Sequence, residues 1–385
     1  MTNPSFLKNP STKIPPWLQP LWDSLEFNAL PNAVLLYGQT GIGKFDFAIQ
    51  LSKALLCEEK SAAVPKPCNC CEACRWFESG NHPDFLPLVP ETHGKFLPHS
   101  SVEGIEESSG GKKSKSSQSD ETQDSSEKKE KKNISIEDVR SSIEGLSIGA
   151  HRGGNRVVLI YPMEMLRSDA ANTLLKSLEE PIGQTIFILV ADRLDRVLPT
   201  IRSRCRLLAV PRPERQTGLE WLNNTLLNKD KINVPQEELG SIYDEQGGSP
   251  YAARMLVLAR HNKDEKDEAA LAHLASRHLL QGLAKGAEID WLEIAEKIHK
   301  APIHVLLITQ QRWVADIESV HQAGIVRYYP KQLKTLRELS SCINQPRLLR
   351  FWKNLLRART YENHPLAARI QLEVLLLEYK QLFNG

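Results

Sequence analysis

The chain has 385 residues, 41% of them hydrophobic and 25% charged, which is room for two or three domains with proper cores. Its 49 basic and 47 acidic side chains leave a net charge of +2, so bulk charge points to neither a nucleic-acid nor a membrane partner. No apolar run approaches the roughly 20 residues needed to span a bilayer. The proline-punctuated stretch from Met1 to Trp17 lacks the pattern of a secretory signal, so the expected location is cytoplasmic.

Trp17, Leu18, Leu21, Trp22 and Leu25 mark a short helix among prolines. Ala33-Val34-Leu35-Leu36-Tyr37 then reads as a buried strand. It runs into Gly38-Gln39-Thr40-Gly41-Ile42-Gly43-Lys44 and a helix with Phe47, Ala48, Leu51 and Leu55 on one face. A strand, a glycine loop with lysine and a helix form a phosphate-cradling arrangement. Gly38, Gly41 and Gly43 let backbone N–H groups converge on an anion, and Lys44 reaches the outer phosphates. The residue after the lysine should be Ser or Thr, to hold Mg²⁺, and here it is Phe45. The loop is therefore a degenerate Walker A, and hydrolysis by this chain alone is not expected. Nucleotide binding without hydrolysis, and a glycine-rich turn with no ligand, both fit these residues.

Five of the seven cysteines lie between Cys57 and Cys74. Such clustering in a reducing compartment favours metal over disulfides. Cys68, Cys71 and Cys74 give C-x2-C-x2-C, and Cys57 at the end of the preceding helix supplies a fourth thiolate for a closed, tetrahedral, structural Zn²⁺ site. Cys70 is the spare, because adjacent cysteines rarely both chelate. The competing reading is a set of inert or redox-active thiols. His82, in the turn Gly80-Asn81-His82-Pro83-Asp84, reads as a locally satisfied turn residue.

Residues 93–133 are nearly free of aromatic and branched apolar side chains and read as a disordered insertion. Arg156–Tyr161 is a second buried strand. In a working ATPase it would end in acidic residues that hold Mg²⁺, and here it ends Tyr161-Pro162-Met163-Glu164. A helix up to Glu180, a strand Ile186–Ala191, a short helix Pro199–Cys205 and a strand Leu207–Val210 follow. This alternation predicts a parallel sheet with helices on both faces.

Two blocks in this region carry a family likeness: Asn172-x-Leu174-Leu175-Lys176-x-Leu178-Glu179-Glu180-Pro181 and Thr200-Ile201-Arg202-Ser203-Arg204-Cys205. With the cysteine knuckle, they make the chain resemble the AAA+ clamp-loader subunits of bacterial DNA polymerase III. The resemblance covers nearly the whole chain except the 93–133 insertion, which departs from the family pattern. It implies an α/β AAA+ domain with a zinc knuckle over residues 1–211, a helical lid over 212–262 and an all-α C-terminal collar over 263–385. The motor subunits, gamma and tau, keep the magnesium Ser/Thr and the strand-end acids. Phe45 and Tyr161-Pro162 therefore point to a non-motor member of the family.

What the resemblance implies about function is specific. The chain would be a stator in the complex that opens the sliding clamp and places it on primed DNA. Its partners would be the gamma/tau motor subunits and the delta subunit, within the DNA polymerase III holoenzyme. Arg204 would reach into a neighbour's ATP site as an arginine finger, with Arg202 as a weaker helper. Without the flanking block, Arg204 reads as a surface arginine on a short helix. In motor subunits an arginine senses the γ-phosphate where this chain has Tyr251, with Arg254 one turn on. The final helix shows a stripe of Leu366, Ile370, Val374 and Leu377, widened by Leu375, Leu376 and Leu382, which suits either a ring collar or an internal core. Two other classes compete: a stand-alone phosphate-loop ATPase or nucleotide kinase, and a zinc-dependent nucleic-acid-binding module.

Overall fold

A computed structural model describes residues 14–61, 64–90, 134, 137–141, 151, 154–261, 268–361 and 368–383. The 93–133 insertion lies outside them. The chain divides into two compact units, Met1–Pro211 and Arg212–Gly385. Among the described residues no helix is long and apolar enough to cross a membrane.

The first unit is built on strands β1 (Ala33–Tyr37), β2 (Phe85–Leu88), β3 (Arg156–Ile160), β4 (Thr185–Ala191) and β5 (Arg206–Ala209). They form one sheet in the order β2-β3-β4-β1-β5, and each neighbouring pair is parallel. The central strands read as unbroken apolar runs because both of their faces are covered. All seven residues of β4 are buried. On one face Leu35, Val158, Phe187 and Leu189 pack with Ala170, Ala171, Leu174 and Leu178; those four belong to a helix, Ser168–Glu179. The other helix of interest, Lys44–Leu56, lies against β1, β3 and β4. The described helices of this unit used below are, in chain order, α1 (Gln19–Asp23), α2 (Lys44–Leu56), α3 (Glu72–Glu78), α4 (Ser168–Glu179) and α5 (Pro199–Arg202). Trp22 of α1 meets Phe47 of α2 edge-on, with ring centroids 5.5 Å apart.

The turn Gly80–Asp84 leads into Phe85–Leu88, an apolar run that contains Pro87. The structure makes this segment the edge strand β2, the place in a sheet where a missing N–H is tolerated.

The second unit is helical, with α6 (Arg215–Thr225), α7 (Gln236–Glu245), α8 (Pro250–His261), α9 (Glu268–Leu283), α10 (Trp291–Ile298), α11 (Ile303–Ala323), α12 (Leu333–Cys342), α13 (Gln345–Ala358) and α14 (Ala368–Gln381). Among the described residues it holds two separate cores. Leu222, Leu226, Leu239, Ile242, Tyr243 and Val257 form the smaller one, from α6 to α8. The larger one surrounds Trp313 of α11, whose indole N–H donates to the Tyr379 hydroxyl at 2.9 Å; that hydroxyl donates to the Leu283 carbonyl at 2.8 Å. Asp316 is fully buried, and its carboxylate accepts the backbone N–H groups of Arg327, Tyr328 and Tyr329, fixing the turn that follows α11.

The buried face of α14 differs from the stripe read in the sequence. Leu372, Leu375, Leu376, Tyr379 and Leu382 are in the core, whereas Ile370 and Val374 are 61% and 47% exposed. The helix is apolar on two sides, so periodicity could not tell which side packs.

Candidate functional site: a closed phosphate loop, a cysteine cluster and an edge arginine

The phosphate loop leaves the end of β1 and returns as α2, so its backbone N–H groups lie at a helix N-terminus. Gly43, immediately before Lys44, has φ +91°, a left-handed conformation that a side chain would strain. Gly38 is needed for another reason: a Cβ there would lie 2.9 Å from the Val210 carbonyl oxygen. The Trp17 indole N–H braces the loop from outside, donating to the Ile42 carbonyl at 3.0 Å.

Lys44 is 3% exposed and turned inward. Its ammonium donates to the carbonyls of Gly38 at 2.8 Å and Gln39 at 2.6 Å, and pairs with Asp192 at 2.7 Å. An ammonium has three N–H donors, and three partners within the chain engage them. Asp192 follows β4 directly, and the register that sets Tyr37 opposite Ala191 carries it beside the loop. Sequence reading missed this residue, because only the pairing of β1 with β4 makes it a neighbour.

Where a motor subunit would gather Mg²⁺ ligands, this chain gathers rings. Phe45 and Tyr161 stack with centroids 4.7 Å apart and planes 34° from parallel. Neither ring offers a hard oxygen ligand of the kind Mg²⁺ requires. Burial, followed by the carboxylates of Asp192, Glu164 and Asp46, pushes the Tyr161 phenol well above its ordinary range, so it stays protonated. Glu164, the carboxylate nearest the strand's end, accepts the backbone N–H of Arg193 at 2.5 Å.

The sulfurs of Cys57, Cys68, Cys71 and Cys74 all lie within 4.8 Å of one another. Cys57 and Cys71 are 3.9 Å apart, and Cys68 and Cys74 are 4.0 Å apart. A tetrahedron of thiolates at about 2.3 Å from a metal has edges of roughly 3.8 Å, so the cluster has the size of an S₄ site. Backbone N–H groups point at three of the sulfurs, Cys68 to Cys57 at 3.4 Å, Cys71 to Cys68 at 3.3 Å and Cys74 to Cys71 at 3.4 Å. Cys70 is exposed and outside the group. The four cysteines can bind a metal ion. Buried Lys53 of α2 anchors the knuckle to the phosphate-loop helix, donating to Asn69 at 2.6 Å and pairing with Glu78 at 2.5 Å. His82 is buried and local, its Nδ1 accepting the Asp84 N–H at 3.2 Å.

Arg204 sits one step beyond the short helix expected to carry it. Helix α5 ends at Arg202, Ser203 caps it, and Arg204 occupies the turn into β5. Strand β5 is an edge of the sheet. The Arg204 guanidinium pairs with Glu179 at the end of α4 and donates to the Thr200 carbonyl at 2.9 Å. Its side chain is 34% exposed. Glu179 belongs to the block quoted above, yet nothing in the sequence marked it as a partner of Arg204.

In the second unit, Tyr251 stacks on Trp221 with centroids 4.7 Å apart. Arg254 forms a fork with Asp230, at 2.7 and 2.6 Å. Both side chains of that pair are largely buried, so Arg254 holds α8 to the end of the segment after α6.

The family profile described as "DNA polymerase III, delta subunit" matches residues 15–214. DNA polymerase III subunit delta' of Pseudomonas aeruginosa is 32% identical over 81% of this chain and 77% of its own. The subunit of the same name from Escherichia coli K12 is 29% identical over 63% of this chain and 60% of its own, and that from Yersinia pestis is 28% identical over 92% and 88%. A parallel AAA+-type sheet, a four-cysteine knuckle after the phosphate-loop helix and this level of identity lead to one conclusion: the chain belongs to the delta' subunits of DNA polymerase III, in the clamp-loader family.

Proposed function

We propose that this chain is the non-motor, stator subunit of the replicative clamp loader, acting in the cytoplasm with the gamma/tau motor subunits and the delta subunit to open the sliding clamp and load it on primed DNA. The observation that carries the reading is the Phe45–Tyr161 stack at the position where Mg²⁺ would be held. It argues against a stand-alone ATPase or nucleotide kinase, since phosphoryl transfer depends on that metal. The described helices of the second unit serve as a lid over 212–262 and a collar over 263–385. The four-cysteine knuckle takes a structural Zn²⁺, which would tie Cys57 at the end of α2 to α3 and its preceding turn.

In this reading Arg204 works on a neighbour's nucleotide. A guanidinium suits the task because its rigid fork meets phosphate oxygens in pairs. Glu179 holds the side chain in a set orientation until a triphosphate competes for it. An arginine finger raises hydrolysis by roughly 10³–10⁵ at the site it serves. The test is reconstitution with wild-type motor subunits, comparing Arg204→Ala with Arg212→Ala, an exposed arginine nearby. Arg204→Ala is expected to leave folding, metal content and assembly intact while clamp loading falls at least tenfold; total ATPase falls only in part, because the other motor sites keep their fingers. Equal, near-normal loading by both variants refutes the assignment.

A further inference from the structure

The net charge of +2 conceals a strong local imbalance. Between Gln322 and Thr360 nine residues are Lys or Arg and one, Glu338, is acidic, a local net charge of +8, so the rest of the chain nets −6. Helix α13 carries no acidic residue at all. Its apolar side, Leu348, Phe351, Leu355 and Ala358, is committed to the core around Trp313. The opposite side presents Arg350, Lys353 and Arg357, spaced three and four residues apart and therefore aligned along one ridge. All three are exposed, and none makes an ion pair among the described residues. Lys331, Lys334 and Arg337, on α12 and the turn before it, are also exposed and make no ion pair among the described residues. Both helices pack on α11 through the same core, which holds the two basic stretches in one rigid frame.

We infer that the outward face of α13 binds the phosphate backbone of a nucleic acid. Like charges concentrated without counter-ions repel one another, and a polyanion relieves that repulsion while releasing its own condensed cations. A helix of 14 residues is about 21 Å long, and one strand of a duplex offers a phosphate every 3.4 Å or so, so α13 can lie along about six. A lipid surface fits less well, because a membrane-binding helix turns its apolar stripe outward and α13 has turned its own into the core. The exposed Leu349 and Leu356 sit on one flank of the basic ridge and not on its crest. Readout would be of charge and shape, without base specificity. This contact is made by the chain itself and stands apart from the role given to Arg204.

The test uses the full chain and fluorescence anisotropy with a labelled 24-base-pair duplex and a labelled 24-nucleotide single strand, in about 50 and 200 mM salt. The triple variant Arg350→Glu, Lys353→Glu, Arg357→Glu is compared with a control triple at exposed lysines elsewhere, Lys229→Glu, Lys285→Glu, Lys300→Glu, which makes the same change in net charge. Circular dichroism melting confirms that each variant folds, and a milder Arg350→Gln, Lys353→Gln, Arg357→Gln triple replaces the first if it does not. Wild-type chain is expected to bind with affinity that falls steeply with salt. The α13 variant should bind at least about tenfold more weakly and lose roughly two to three units of salt slope, with the control near wild type. Equal loss in both triples, no binding by wild type at low salt, or competition by poly-L-glutamate as strong as by unlabelled oligonucleotide would overturn the proposal. The last result would assign the face to an acidic protein surface instead.

Discussion

Tyr161 stacks on Phe45 with ring centroids 4.7 Å apart, so the residue that follows β3 and the residue that follows the phosphate-loop lysine fill each other's space. In a magnesium-dependent ATPase these two positions supply a carboxylate and a hydroxyl to one metal ion. The isolated chain is therefore expected to release no phosphate from Mg·ATP above the blank. Steady turnover that survives purification and disappears in Lys44→Ala would contradict this.

Lys44 ties the loop together through its three partners within the chain. Replacing it with Met leaves Asp192 and two loop carbonyls without their ammonium, and Asp192 is 23% exposed, so water offsets part of the loss. Lys44→Met should lower unfolding free energy by about 1–3 kcal/mol in urea titrations of the isolated chain. Asp192→Asn in the same background should recover some of it, because the uncompensated charge is then gone. A Lys44→Met variant as stable as wild type would return the side chain to an idle role.

Cysteine substitution separates the metal cluster from its spare. Cys71→Ser is expected to reduce bound zinc from about one per chain to well below half, and to lower the melting temperature; Cys70→Ser should change neither. Chelation of the wild-type protein should reproduce the Cys71→Ser melting curve. Full zinc in Cys71→Ser, read by elemental analysis of the purified protein, would exclude that residue from the ligand set.

His273 on α9 makes the second unit sensitive to acid. Burial first, then the positive charges of Arg260 and Arg277, push its imidazole down from 6.5 to about 4. The unfolded chain thus binds a proton in a pH range where the folded chain does not. The contribution is constant above about pH 6.5, falls as the pH drops towards 4, and levels off below that. After allowance for solvent screening the loss should be about 1–2 kcal/mol. His273→Gln should flatten this part of the stability curve measured by urea at pH 7, 5.5 and 4.5. An unchanged slope would show that other groups set the acid response.

Asp316 tests the larger core. Its carboxylate holds three backbone N–H groups of the turn after α11, in a place with no exposure to water. Asp316→Ala orphans those donors and should destabilise the second unit by about 3 kcal/mol or more, seen as an earlier transition in urea. A loss below about 1 kcal/mol would mean that the turn finds other acceptors.

Several features of this protein are decided by contiguous residues. The strand, loop and helix from Ala33 to Leu56, the C-x2-C-x2-C spacing and the missing hydroxyl at Phe45 are legible because the groups concerned are separated by a few residues of regular backbone. Hydrophobic runs likewise announce β3 and β4, since a strand covered on both faces needs apolar residues at every position. What the sequence left open are the meetings across the chain. Asp192 reaches Lys44 only because β1 lies beside β4, and Tyr161 meets Phe45 only because β3 ends at the same edge of the sheet as the loop. Glu179 meets Arg204 because α4 and α5 pack together. The burial of Leu372 and Tyr379, and the exposure of Ile370, were undecidable from a helix apolar on two sides. Local propensity fixes which segments become strands and helices, whereas register and packing fix which side chains become neighbours, and the chemistry of these sites depends on the neighbours.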